Sequence, residues 1–136
     1  MRYLAVDYGE KRTGLAICDE GETIASPLKV VEGQGGLTGK IIAAVESEMV
    51  GGIVIGLPLN MDGTQGEQAR GVLRFGERLK EHLEIPIFFQ DERLSSFGAE
   101  KKLSGVGMTR KQKKKRLDAV AAAAILQSFL DSKHGR

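Results

Sequence analysis

The chain has little of what several common site chemistries require. Among 136 residues there is one cysteine, Cys18, and two histidines, His82 and His134, placed far apart. A lone thiol excludes a disulfide framework, and the scattered imidazoles lack zinc-site spacing. Tryptophan is absent and aromatics make up 5% of residues, so base-stacking platforms are poorly supplied. No apolar run approaches bilayer length and no signal-peptide pattern opens the chain, so a cytoplasmic protein without membrane contact is expected. The formal net charge of +2 names no partner by itself. What is present is ordinary for a folded chain: 41% hydrophobic and 28% charged residues, enough for one core and one domain spanning 1–136.

The pattern along the chain alternates strands and helices. Met1 to Asp7 and Thr13 to Cys18 read as a hairpin across the polar linker Gly9-Glu-Lys-Arg12. Ala25 to Val31 reads as an edge strand, with Pro27 tolerable only near its start. Leu37 to Met49 has apolar residues at helical spacing, and Gly52 to Gly56 is a strand buried on both faces. After the Pro58–Gly63 loop, Thr64 and Glu67 match a capping box opening a helix that runs to about Leu83. Ile85 to Phe89 is the fifth strand. Ser95 or Ser96 caps a short helix to about Leu103, a loop covers Ser104 to Gly107, and a second capping box, Thr109 with Gln112, opens a last helix to Leu130. The order is β-β-β-α-β-α-β-α-α. Hairpins make the first three strands antiparallel, while helical crossovers make the later ones parallel. Sites in such sheets lie at the carboxyl ends of the parallel strands, where Asp7, the Pro58–Gly63 loop and the Asp91-Glu92 pair all fall.

Three acids stand out. Asp7 shares a strand face with Tyr3 and Ala5, and a carboxylate there either caps its turn or holds a metal or phosphate-bearing ligand. Asp91 and Glu92 follow the fifth strand. Asp118 borders the stretch Ala119 to Leu126, apolar on every face and hence a buried helix; it either pairs with Lys114 or Lys115 one turn back or faces a metal. Carboxylates from two strand ends and a helix suit Mg²⁺ or Mn²⁺, hard cations that leave positions for phosphate oxygens. The run Arg110 to Arg116 holds six cations and no acid. Cations oppose the macrodipole at a helix start, so polyanion contact explains them, as does a solvated face.

The stretches Asp7-Tyr-Gly-Glu-Lys-Arg-Thr-Gly14, Gly56-Leu-Pro-Leu-Asn-Met-Asp-Gly-Thr64, Asp91-Glu-Arg-Leu-Ser-Ser96 and Asp118-Ala-Val-Ala-Ala122 together resemble the YqgF family. The family is described as pre-16S ribosomal RNA nucleases and as Holliday-junction-resolvase-like. The likeness spans essentially the whole chain with its motifs in order. It implies an α/β, ribonuclease-H-like fold with a five-stranded mixed sheet and helices on both faces. It further implies Asp7, Glu92 and Asp118 as the catalytic, metal-holding triad, with Arg93 orienting a carboxylate or touching phosphate. Lys11, Arg12, Asn60, Lys114 and Lys115 become candidates to position the substrate backbone. Resolvases of the wider group carry an acid at the end of the fourth strand. Here that position reads Gly56-Leu57-Pro58, and Asp62 is the only nearby substitute.

The expected function is metal-dependent hydrolysis of phosphodiester bonds in structured nucleic acid by a monomer or weak homodimer, with pre-16S rRNA favoured over four-way DNA junctions. A non-catalytic transcription or ribosome-assembly factor would use the same fold and basic run, but gains nothing from three converging acids. An actin-like phosphate loop over Asp7 to Gly14 would need a second domain that the chain does not supply.

Overall fold

The computed structural model describes residues 1–94 and 110–136, with side chains described for 1–94 and 119–136. The strands are β1 (Tyr3–Asp7), β2 (Arg12–Cys18), β3 (Ala25–Glu32), β4 (Gly52–Leu57) and β5 (Ile87–Asp91). The helices are α1 (Leu37–Ser47), α2 (Glu67–Lys80) and α3 (Arg110–His134), with a short 3₁₀ turn at Glu92–Leu94. One sheet runs in the order β3-β2-β1-β4-β5. The β1–β2 and β2–β3 pairs are antiparallel, and the β1–β4 and β4–β5 pairs are parallel. Pro27 sits on the edge strand β3, where a missing N–H costs least.

Strand alternation divides the core in two. Leu4, Val6, Leu15 and Ile55 face α1 and α2, which contribute Leu37, Ile41, Val72, Phe75 and Leu79. Tyr3, Ala5, Ala16 and Val54 face α3, which contributes Ala122, Ile125, Leu126 and Leu130. Each large apolar side chain so buried is worth roughly 1.5–3 kcal/mol against exposure. Asp7 and Gly56 continue the second series, so both belong to the α3 face.

Several expected boundaries move. The fifth strand begins at Ile87 and ends at Asp91, two residues later than expected, because the ladder to β4 pairs Ile53 with Ile87 and Leu57 with Asp91. Pro86 lies outside it and lends only its carbonyl, to the Ile53 amide. The Thr64–Glu67 capping box does not form. Thr64 instead turns back to Asp62, whose Oδ1 accepts from the Thr64 amide (3.0 Å) and hydroxyl (2.6 Å). Gly66 therefore precedes the helix without a side-chain cap. The first helix stops at Ser47 rather than Met49, α2 at Lys80 rather than Leu83, and α3 continues past Leu130 to His134. The short helix expected from Ser95 or Ser96 to Leu103, the loop after it and the Thr109 cap lie outside the described residues.

The end of the sheet away from Asp7 is closed by one carboxylate. Glu22, 9% exposed, has a left-handed backbone (φ 57°), a conformation few residues other than glycine adopt. Its Oε1 accepts from Lys133 Nζ at 2.6 Å and lies 3.0 Å from His134 Nε2. Its Oε2 accepts from the Met1 amine at 3.1 Å, and its carbonyl from Arg136 at 2.6 Å. The Lys133 hydrogen bond first, then His134 and the amine, outweigh burial and push the carboxyl from 4.5 down to about 2. A depressed folded-state pKa contributes stability that is complete above the unfolded value and lost as pH falls through the folded one. Glu22→Gln is expected to cost about 1–2 kcal/mol at neutral pH, allowing for solvent screening. The gap to wild type should close as pH falls from 4.5 to about 2 in urea denaturation. A gap constant with pH would mean the carboxylate charge contributes nothing.

Candidate active site

Asp7 ends β1 at the carboxyl rim, half-buried and with its own interactions within the protein. Its cross-strand partner on β2 is Gly14. On the other side, Val6 pairs with Ile55 of β4, so one further step brings Asp7 beside Gly56. Two glycines thus flank the carboxylate on the α3 face, and neither covers it with a side chain. Glycine inside a strand weakens it and marks a place where something approaches closely.

Over Gly56 that something is Glu92. A Cβ built on Gly56 would stand 2.7 Å from Glu92 Oε1, 3.0 Å from its Cγ and 2.6 Å from Ile125 Cδ1 of α3. The Glu92 carboxylate therefore occupies the space above the fourth strand's end, next to Asp7. Alternation along β5 accounts for this. Ile87 and Phe89 pack toward α1 and α2, while Phe88 contacts Tyr3 and Phe129, and Gln90 donates to Ser128 of α3. Asp91 continues the first series and the chain turns into Glu92 at the α3 face. The two-residue shift of β5 preserves parity, so Glu92 rather than Asp91 lies on the Asp7 side.

Asp91 has a different partner. Arg93 grips it through Nε at 3.0 and 3.1 Å and Nη2 at 2.7 Å, and the Arg93 amide also donates to it. This guanidinium holds the Asp91 carboxyl below its usual range. Arg93 Nη1 donates to the Met61 carbonyl at 3.0 Å, tying the Pro58–Gly63 loop to the end of β5. Within that loop Asn60 Nδ2 donates to Thr64 Oγ1 at 2.9 Å, and Asp62 is occupied by Thr64, whose bonds lower its pKa. Asp62 thus serves its own turn.

Lys11 is exposed at the β1–β2 turn. Arg12 shares the α3 face with Gly14, and its Nε is buried without a hydrogen-bond partner among the described residues. Gly9 is required in this turn, because a Cβ there would collide with the Arg12 carbonyl. The helix carrying Lys114, Lys115 and Asp118 is described as backbone, and their side chains lie outside the described residues. Position 118 stands one turn before the buried Ala122. Among the described residues no three acids, histidines or cysteines form a metal cluster, and two of the three expected acids are within that set. The sequence marks Gly56 as the place where a fourth-strand acid is missing; that Gly14 and Gly56 flank Asp7 is what the strand register adds.

Comparison with known proteins gives the family and the fold. A family model described as "RuvX: Holliday junction resolvase" matches residues 1–132. A protein of Maridesulfovibrio salexigens named "Putative pre-16S rRNA nuclease" is 41% identical over 132 residues, 96% of this chain and 98% of its own. One of the same name from Anaeromyxobacter is 43% identical over 136 residues, covering 98% and 99%. Among solved structures, Thermus thermophilus RuvC bound to a Holliday junction superposes with a TM-score of 0.64 at 16% identity, covering 99% and 97% of the two chains. The fowlpox virus resolvase with its junction gives 0.59 at 13%, covering 98% and 99%. At those identities the solved structures establish the ribonuclease-H-like fold. No described helix is long and apolar enough to cross a membrane. The resemblance to the YqgF family is borne out, and the chain belongs to the RuvX family of nucleases, described as Holliday junction resolvase.

Proposed function

We propose that the Asp7 rim hydrolyses phosphodiester bonds with a divalent cation, Mg²⁺ or Mn²⁺, and that its substrate is the 5′ end of pre-16S rRNA. The observation that carries this reading is the Glu92 carboxylate lying over Gly56 beside Asp7. A carboxylate over Gly56, on the sheet face that carries Asp7, suits a hard cation held between the two acids. Asp118, one turn before Ala122, completes the donor set in this proposal. When bound, the ion supplies an activated water and neutralises charge at the phosphate. Arg93 acts at one remove, fixing Asp91 and the Met61 loop so that Glu92 keeps its direction. Arg12, with its buried Nε, Lys11 and Asn60 contact the substrate backbone on the β1 and β4 sides, and Lys114 and Lys115 on the helix side. One chain carries all three acids, so a monomer or weak homodimer working in the cytoplasm suffices.

RNA is favoured by the names of the full-length relatives, and a four-way DNA junction by the description of the family model. The test is cleavage of a labelled pre-16S fragment and a labelled four-way junction by wild type with Mg²⁺, Mn²⁺ or EDTA. Metal-dependent trimming of the RNA is expected. Cutting of the junction instead would change the substrate, and binding of both without cleavage in either metal would overturn the nuclease reading for a non-catalytic factor.

A further inference from the structure

Tyr8 follows Asp7 and points to the opposite face of the sheet, where it packs on the α1–α2 core. Its ring stacks on Phe75 of α2 with centroids 4.1 Å apart and planes 15° from parallel, so its orientation is fixed in advance. Beside it opens a cleft of about 530 Å³, lined by Tyr8, Glu10, Gln34, Gln68, Gly71 and Arg74 among others. The space at Gly71 is open: apart from the helix's own nearby backbone and its chain neighbours, a Cβ added there meets, among the described residues, only Arg74 Nη2 at 3.8 Å.

The lining identifies the class of occupant. Glu10 and Glu67 outnumber Arg74, so a phosphate gains little here. An aromatic ring held flat, with amide, carboxylate and guanidinium groups around it, is what a nucleobase needs: a stacking surface plus donors and acceptors for its edge. Tyr8 is the next residue after Asp7 at the same strand end, so the cleft opens at the same rim of the sheet, on its other face.

We infer that the cleft beside Tyr8 holds one unpaired nucleobase of the nucleic acid whose backbone crosses the rim at Asp7; this rests on the nuclease reading. A paired base cannot enter, because its edge is already used and its faces are covered by neighbours. The protein therefore selects a phosphate flanked by an unpaired nucleotide.

The test uses Gly71→Leu, which fills the cleft from a helix position where leucine is favoured over glycine, so the fold is kept; circular dichroism checks this. Binding is followed without divalent ions by the fluorescence of 2-aminopurine in a short single-stranded RNA. Wild type should quench it, and Gly71→Leu should bind at least about tenfold more weakly, within the range for losing one base–aromatic stack. Affinity for a fully paired duplex of the same sequence should not change. Equal affinity of wild type and variant, equal loss on both RNAs, or no binding by wild type would overturn the inference. So would adenosine monophosphate competing as well as the oligomer, which would make the cleft a free-nucleotide site. If wild type cleaves no substrate yet the fluorescence difference persists, the nuclease reading fails and the base site stands. If cleavage is normal and Gly71→Leu changes nothing, only the base site fails.

Discussion

Asp7→Asn is expected to lose cleavage by roughly 10²–10³-fold, the range for removing one preorganised electrostatic element from an active site. The amide keeps the shape of the carboxylate but not its charge. Because Gly14 and Gly56 flank the position, the exchange creates no clash with a cross-strand side chain. Its effect on stability should therefore be small. Removing one of two neighbouring negative charges relieves repulsion with Glu92, while the interactions Asp7 already makes within the protein weaken. The two contributions oppose each other, and the melting temperature should move by a few degrees at most. Substrate affinity should hold or rise, since a negative charge near the phosphate has gone. Rates and thermal melts on the same preparation check all three. Cleavage retained within about a factor of two would show that Asp7 only caps its turn.

Gly56→Ala should be nearly as damaging by a different route. The new methyl would stand 2.7 Å from Glu92 Oε1 and 2.6 Å from Ile125 Cδ1, closer than carbon tolerates. Ile125 is buried between α3 and the sheet and has little freedom, whereas the Glu92 carboxylate is the end of a half-buried, flexible side chain. Glu92 should yield first and swing away from Asp7. The packing cost should be about 1–3 kcal/mol, as for other small-to-large changes in a filled interior. The loss of cleavage should again be on the order of 10²-fold, because one arm of the acidic pair is displaced. Glu92→Gln separates the two causes. If Gly56→Ala acts through Glu92, the double variant should be little slower than either single one, since the second change removes what the first already disabled. Multiplicative losses would mean that Gly56 matters for packing alone.

Much of this architecture was legible in the chain because it is local. The alternation of Tyr3, Ala5 and Asp7 places the carboxylate on one face, and the apolar run from Gly52 declares a strand covered on both sides. The choice of Glu92 over Asp91 came from the family resemblance, and the observed strand end, two residues later than expected, keeps the same alternation of faces. The capping box failed because Asp62, two residues before Thr64, competed for the same hydroxyl and amide. The contacts that escaped reading are between distant residues. Tyr8 meets Phe75 only after the three strands and one helix between them are in place, and Glu22 meets Lys133 and His134 only when the last helix closes on the sheet. Neither pair carries a local pattern.

The vacancy of side chain at Gly56 has a consequence for descent. The point beside Asp7 can be reached from the end of β4 or, across an empty backbone position, from the start of the turn after β5. On the proposed reading, the acid that the resemblance places at the end of the fourth strand is supplied instead across an empty backbone position, by Glu92 of the turn after β5. Lineages could trade one donor for the other through an intermediate carrying both. Aligned columns alone would then score the fourth-strand acid as missing although, on this proposal, Glu92 supplies it.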